Sequence, residues 1–311
     1  MAEQTGIAWA RSTFSPWIGC TEVSPGCDHC YARELDKRHR WGGATHWGAG
    51  VPRYRTKDWS KPLAWNKKAA ATGERWTVFP SLCDPFDNEV PERWRVDFWR
   101  LVYDTPHLTW LILSKRIGNA MDMLPLGFFR EGAASNVWLG ASVVNQDEAD
   151  RDIRKLLAVP TAKWFVSYEP ALSMVDWSAW MPHEYSEQPP GGAPCKTCGV
   201  FTNGLHHPYA KSGISQIIIG GESSQGSAKA RPFDIAWARS TIRQCKAAGV
   251  ACFVKQCGSN PVDRLSPIAE AALDSFAGRK PGRLERIAFK NRAGADPAEW
   301  PTDLRIQEFP A

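Results

Sequence analysis

The chain has 311 residues, 43% hydrophobic and 23% charged, with a formal net charge of +5, values that exclude a disordered or low-complexity protein. No apolar stretch approaches the length of a membrane-spanning helix, and Met1 to Arg11 lacks the basic-then-apolar pattern of a signal peptide. A cytoplasmic protein with no membrane partner is expected, large enough for one barrel or one domain with insertions.

A first strand is placed near Thr5–Trp9. Next comes the run Gly19-Cys20-Thr-Glu-Val-Ser-Pro25-Gly26-Cys27-Asp-His29-Cys30-Tyr31. Three thiolates within eleven residues, folded back by a Pro-Gly turn, can converge on one metal centre. A [4Fe–4S] cluster has four corners, and structural zinc takes four ligands. Cys20, Cys27 and Cys30 alone would leave one iron open to a substrate or cosubstrate, as in enzymes that reductively cleave S-adenosylmethionine. The other reading is a zinc site completed by His29, His39 or His46.

From Arg33 to Arg75 eleven Lys and Arg stand against four acids, interleaved with Trp41, Trp47, Tyr54, Trp59 and Trp65. Arg279 to Arg292 holds six bases and one acid. Basic groups neutralise phosphates and aromatic faces stack on exposed bases, so a nucleic acid or nucleotide is the expected partner class. A solvated basic surface with tryptophans packed beneath it is the alternative.

Short runs rich in Val, Ile, Phe and Trp then alternate with helical patterns. Trp76–Leu82, Leu108–Leu113, Val137–Ala141, Lys163–Tyr168, Gln216–Gly220 and Val250–Val254 read as strands buried on both faces. Helices are expected at Glu92–Tyr103, behind Pro91, at Gln146–Ala158, and at Asp234–Ala248, stopped by Gly249. In the last of these Ile235, Ala238, Ile242 and Cys245 make one apolar face. Strand–helix alternation at this spacing gives an α/β fold of parallel βαβ units, a full or partial (β/α) barrel over residues 1–258.

Two stretches break the pattern. Met181 to Ser212 is an insertion in which Cys195 and Cys198 form a knuckle that His183, His206 and His207 can complete as a structural zinc site. Residues 259–311 form a polar C-terminal extension, expected to pack on the barrel, with one helix at Pro267–Phe276.

Polar residues collect just past the strands, where a parallel barrel keeps its chemistry. They are Asp84 and Asp87 after Cys83; Lys115 and Arg116; Ser142 and Asn145; Glu169; Gly220, Gly221 and Glu222; and Lys255 and Gln256 before Cys257. Burying so many is costly unless each has a partner, which favours a shared polar pocket beside the cysteine loop. Cys245 and Cys252 fall on apolar faces and read as core. Cys83 and Cys257 sit at the rim, each inert or a hydrogen-donating thiol.

The string Phe14-Ser-Pro-Trp-Ile-Gly-Cys20 and the run Val23 to Ala32 resemble the phage-associated three-cysteine-motif family. Trp138 to Ser142, Ser167 to Pro170, Ile219 to Ser223, Arg231-Pro232 and Phe253 to Gly258 match in order. The resemblance implies a barrel similar to that of radical S-adenosylmethionine enzymes, and distantly to spore photoproduct lyase. The common superfamily spacing has three residues in the first gap, whereas this chain has six.

What the resemblance implies is a [4Fe–4S] cluster on Cys20, Cys27 and Cys30, with S-adenosylmethionine cleaved to a 5′-deoxyadenosyl radical. His29 would face the adenine and Ser142 the ribose, with Asn145, Gly220, Gly221 and Glu222 near the cofactor. The Gly-Gly-Glu triplet follows the sixth strand rather than the second, so its superfamily role does not transfer. Asp84, Lys115, Arg116, Glu169, Lys255 and Gln256 would line the reaction site. An electron donor such as flavodoxin or ferredoxin, and a protein partner encoded nearby, are implied as well. The rival expectations are a zinc-stapled module that binds nucleic acid or protein without catalysis, and a metal-dependent hydrolase built from Asp84, Asp87, Glu169 and Glu222.

Overall fold

A computed structural model describes residues 2–129, 135–182, 213–225, 227–264 and 284–311. In chain order come β1 (Ser12–Thr13), β2 (Trp17–Ile18), α1 (Tyr31–His39), β3 (Tyr54–Arg55), α2 (Ser60–Thr72), β4 (Trp76–Phe79), α3 (Glu92–Tyr103), β5 (Leu108–Ser114) and α4 (Ala120–Met123). There follow β6 (Val137–Ser142), α5 (Gln146–Leu157), β7 (Lys163–Tyr168), β8 (Gln216–Gly220), β9 (Phe233–Asp234), α6 (Ile235–Ala248), β10 (Ala251–Gln256), β11 (Pro261–Arg264) and β12 (Leu284–Arg286).

Seven strands make one parallel sheet in the order β1-β4-β5-β6-β7-β8-β10, curled into a half-barrel whose end strands do not pair. The fold is therefore the α/β class with the partial, not the full, form of barrel. Both faces are covered, which is why the strands read as unbroken apolar runs rather than alternating ones. On the concave side Phe79, Leu111, Trp138, Phe165, Ile218 and Phe253, one from each of six strands, pack around Trp9. On the convex side Trp110, Leu139, Val166, Ile217 and Val254 meet the helices through Phe98, Ile153, Leu156, Ile235 and Cys245. Cys245 and Cys252 are core residues, 0% and 2% exposed.

Helices α5 and α6 start where side chains satisfy their first amides. Asn145 accepts from the Glu148 amide at 2.9 Å, and Asp234 from the Ala236 amide at 2.9 Å. The expected strand near Thr5–Trp9 is not formed. These residues turn instead, the Ala10 amide donating to Ile7 O at 3.0 Å, and Trp9 drops against Phe79 with ring centroids 4.5 Å apart. Ile7 and Trp9, the apolar pair that suggested a strand, plug the concave face; the first strand is Ser12–Thr13, paired with Val78 and Phe79.

Past Gln256 the chain returns to the barrel. β9, β11 and β12 form a small sheet, and Trp300 and Leu304 are buried in the main core. Residues 306–308 run antiparallel along the free edge of β10: Val254 N donates to Ile306 O at 2.8 Å, and Glu308 N to Cys252 O at 2.9 Å. Pro267–Phe276 and the knuckle residues His183, Cys195, Cys198, His206 and His207 lie outside the described residues. Among the described residues no helix is long and apolar enough to cross a membrane.

Candidate active site at the mouth of the half-barrel

Side chains alternate along a strand, so the residues two and four past the concave apolar layer face the same interior. Most of the positions four past that layer are polar, among them Lys115, Ser142, Glu169 and Glu222, whereas Leu113 extends the apolar layer. Register pairs Ser114 with Ala141 and Ser142 with Ser167, so Lys115, Ser142 and Ser167 stand in one row across β5, β6 and β7. All three line a cavity of about 460 Å³ at the carboxyl end of the sheet. Ser142 is 3% exposed, and its Oγ has no hydrogen-bond partner. A bulge after Val254 breaks the alternation, letting Lys255 and Gln256 line the cavity together.

The cysteine loop roofs this cavity. Cys20, Cys27, His29, Cys30 and Tyr31 all line it. Gly19 enters the loop at φ +116°, with its Cα so close to the chain that a Cβ would lie 2.2 Å from His46 O; only glycine fits. Ser24 Oγ accepts from the Gly26 amide at 3.0 Å and caps the turn Pro25–Cys27, and Cys30 begins α1. Beneath the loop Arg53, its side chain wholly buried, meets Asp87 at 2.7 Å and donates to Thr21 Oγ1, Gly48 O and Val51 O.

Each acid named from the sequence carries its own cation. Asp84 meets Arg116 at 3.4 Å, Asp87 meets Arg53, Glu169 meets Lys255 at 2.9 Å, and Glu222 meets Arg231 at 2.6 Å. Asp84 also accepts from Ser114 Oγ at 2.6 Å and from the Lys115 amide at 3.1 Å, so it anchors Arg116, whose Nη1 lies 3.1 Å from Cys20 Sγ. Carboxylates neutralised one by one are a poor cage for hydrolytic metal ions. Lys115 forms no ion pair among the described residues and brings an uncompensated charge to the cavity, as Arg38 does at its rim.

Arg231 ties the roof to the sheet. It donates to both Glu222 oxygens, to Pro25 O at 2.9 Å and to Asp28 at 3.0 Å, while His29 donates from Nδ1 to Glu222 at 2.8 Å. Burial pushes the Glu222 carboxyl up, but the Arg231 and His29 hydrogen bonds outweigh it and hold the group below its ordinary 4.5. A depressed carboxyl stabilises the fold above its unfolded value and loses that contribution as pH falls through the folded one. The thermal midpoint of Glu222→Gln should therefore lie below that of the parent protein near neutrality, the gap closing below about pH 4.5. A gap constant with pH would contradict this.

Burial raises the Cys20 thiol to about 12, with Asp84 adding to the rise and Arg116 opposing it, and burial raises Cys30 also. Among the described residues no three His, Cys, Asp or Glu side chains are already grouped as a metal site. The three thiols share one cavity without being gathered at one point. His46 directs both ring nitrogens at backbone carbonyls, Pro52 O at 2.9 Å and Trp41 O at 2.7 Å, leaving neither for a metal.

Of the residues named from the sequence, Asp84, Lys115, Ser142, Glu169, Gly221, Glu222, Lys255 and Gln256 line the cavity with the three cysteines and His29. Arg116 reaches it through Cys20. Asn145 and Gly220 are not among the lining residues: Asn145 caps α5, and Gly220 makes room for Glu169. Cys83 lines the cavity, and Cys257 is fully buried away from it. Arg231 and Ser167 are additions. The Arg231-Pro232 match marked this position, but its pairing with Asp28, 203 positions away, has no local signal.

The profile of a family described as "Protein of unknown function (DUF5131)" matches residues 4–289. The chain belongs to this family. No curated protein and no solved structure matches it. The DUF5131 match spans the cysteine loop, every strand of the half-barrel and the Arg231 bridge, so the cavity lies wholly within the family region.

Proposed function

We propose that this DUF5131 protein is a radical S-adenosylmethionine-type enzyme, with Cys20, Cys27 and Cys30 holding a [4Fe–4S] cluster and a nucleic-acid base as substrate. The observation that carries the proposal is that three thiols from one loop line one polar cavity in a half-barrel. The donor set fits: three sulfurs, with Arg116 3.1 Å from Cys20 and the Lys115 charge acting on Cys30. Cations beside thiolates offset the negative charge that three sulfur ligands bring to a cluster.

When bound, the cluster and S-adenosylmethionine supply a one-electron route to a carbon-centred radical. The chain's own residues do the rest. Lys115 presents a cation, and Ser142 an unsatisfied hydroxyl, to whatever polar group enters. Glu169 and Lys255 hold each other at 2.9 Å in the interior, a polar pair able to exchange partners with a substrate. The apolar plug of Trp9 and Phe79 keeps water out from below.

Anaerobic reconstitution with iron and sulfide tests the assignment. The protein should turn brown, show thiolate-to-iron charge-transfer absorption, and release 5′-deoxyadenosine with dithionite and S-adenosylmethionine. Cys27→Ala should lose the absorption, while Cys252→Ala, altered in the core, should keep it. A colourless protein carrying stoichiometric zinc at the cysteine loop would overturn the proposal in favour of a zinc-stapled binding module.

A further inference from the structure

We infer that the C-terminal end of α1 and the turn beyond it form the tract along which a single strand of nucleic acid reaches the cavity. This rests on the nucleic-acid reading of the substrate and adds where, and in what form, that substrate is held.

Lys37, Arg38, His39 and Arg40 are consecutive and exposed. Among the described residues neither Arg38 nor Arg40 forms an ion pair; Lys37 pairs with Glu34 at 2.8 Å. Asp36, an acid in the same stretch, points inward and is spent on the His46 amide. Arg38 and Arg40 are therefore left on the outer surface without local compensation. Basic residues in a helix's last turn also suit its dipole. That does not account for Arg40, which lies past the helix at φ 45°, nor for Arg38, which reaches the cavity rim.

Beside these charges an aromatic step is ready-made. The exposed His39 ring stacks on half-buried Trp41, centroids 5.0 Å apart and planes within 30°. Elsewhere in the basic stretch Trp65 is buried, Arg55 lies 4.2 Å over Trp59, and half-buried Trp47 lines the cavity itself. Cations that meet phosphates next to an open aromatic face are the chemistry of single-strand binding, because a stacking step needs a base whose face is free. A duplex keeps its bases stacked on one another. Arg38 connects the tract to the rim, so one base beyond the stacked position can enter the cavity while its neighbours stay on α1.

Fluorescence anisotropy of the full chain with labelled oligothymidine and oligouridine about 20 nucleotides long tests the tract. The parent should bind with a salt-dependent affinity. Arg38→Glu with Arg40→Gly, the latter suited to the left-handed backbone, should flatten the slope of log affinity against log salt by about 1.4, roughly 0.7 per lost phosphate contact. Trp41→Ala should weaken binding roughly fivefold to 150-fold, and Trp41→Phe should restore most of it. Circular dichroism checks that each variant folds, and Arg154→Glu on the exposed side of α5 should leave the slope unchanged. Binding that survives the α1 substitutions unaltered would overturn the tract while leaving the substrate reading intact. Preference for duplex would overturn the single-strand assignment, and failure of the parent to bind either oligonucleotide would overturn both tract and substrate, without touching the cluster.

Discussion

Replacing Arg53 by alanine should cost about 3–5 kcal/mol of unfolding free energy, the usual consequence of stranding a buried charge. Arg53 and Asp87 side chains are 0% and 2% exposed and meet at 2.7 Å. Once the guanidinium is gone, the buried Asp87 carboxylate loses its ion-pair partner and keeps the Glu89 amide as a donor. Thr21 Oγ1, Gly48 O and Val51 O lose their donor as well. The damage is therefore aimed at the segment that carries Cys20, and Cys20 should alkylate faster in the variant under native conditions. Urea unfolding provides the stability readout. Arg53→Met combined with Asp87→Leu should recover part of the loss, because removing both charges leaves neither unpaired. A single-variant loss under about 1 kcal/mol would mean that the pair behaves like a surface ion pair, and the account of the loop's support would be wrong.

The second large effect is expected at Gly221. A Cβ there would lie 2.4 Å from Cys257 O and 2.9 Å from Phe233 Cβ, and the first of these is backbone. No side chain can swing away, so the exits of β8 and β10 must part. Gly221→Ala should lose about 1–3 kcal/mol by overpacking. It should also displace Glu222, which follows directly and receives both Arg231 and His29. Gly6→Ala, where nothing lies within 4 Å, serves as the comparison and should change stability little. Equal melting temperatures for the two variants would show that the strand exits yield freely.

The close approach at Gly221 shows how far the sequence could be read. The resemblance placed this glycine near a cofactor; in the structure its close neighbour is the chain's own Cys257 backbone. The six longer strands and three helices were legible because buried parallel strands are short, β-branched and aromatic, and because α5 and α6 carry side-chain caps while α3 follows Pro91. α1 was not, since Tyr31–His39 buries only Ala32 and Asp36 and so has almost no apolar period to see. Ile7 and Trp9 misled because an apolar pair alternating with small residues reads the same whether it lines a strand or plugs one.

The candidate site was legible as a set of strand ends, since parallel topology alone sends those positions to one rim. What it could not disclose is the partnering. That Asp84 serves Arg116, and that Arg231 bridges Glu222 to Asp28, depends on contacts between segments far apart in sequence. The sixteen tryptophans were ambiguous for the opposite reason. Composition counts rings without saying which face solvent, and most of those placed here, Trp17, Trp76, Trp110, Trp177 and Trp300 among them, are fill.

Residues 306–308 lie as a strap along β10, and that has a bearing on how the molecule is made. Until the ribosome has added them, one border of a seven-stranded sheet presents bare amides and carbonyls to its surroundings, a template for unwanted pairing between nascent chains. Expression yield should accordingly depend on chaperone supply until this segment has emerged and paired. Shortened versions ending before Ile306 should accumulate in inclusion bodies, although every residue of the cavity is present in them.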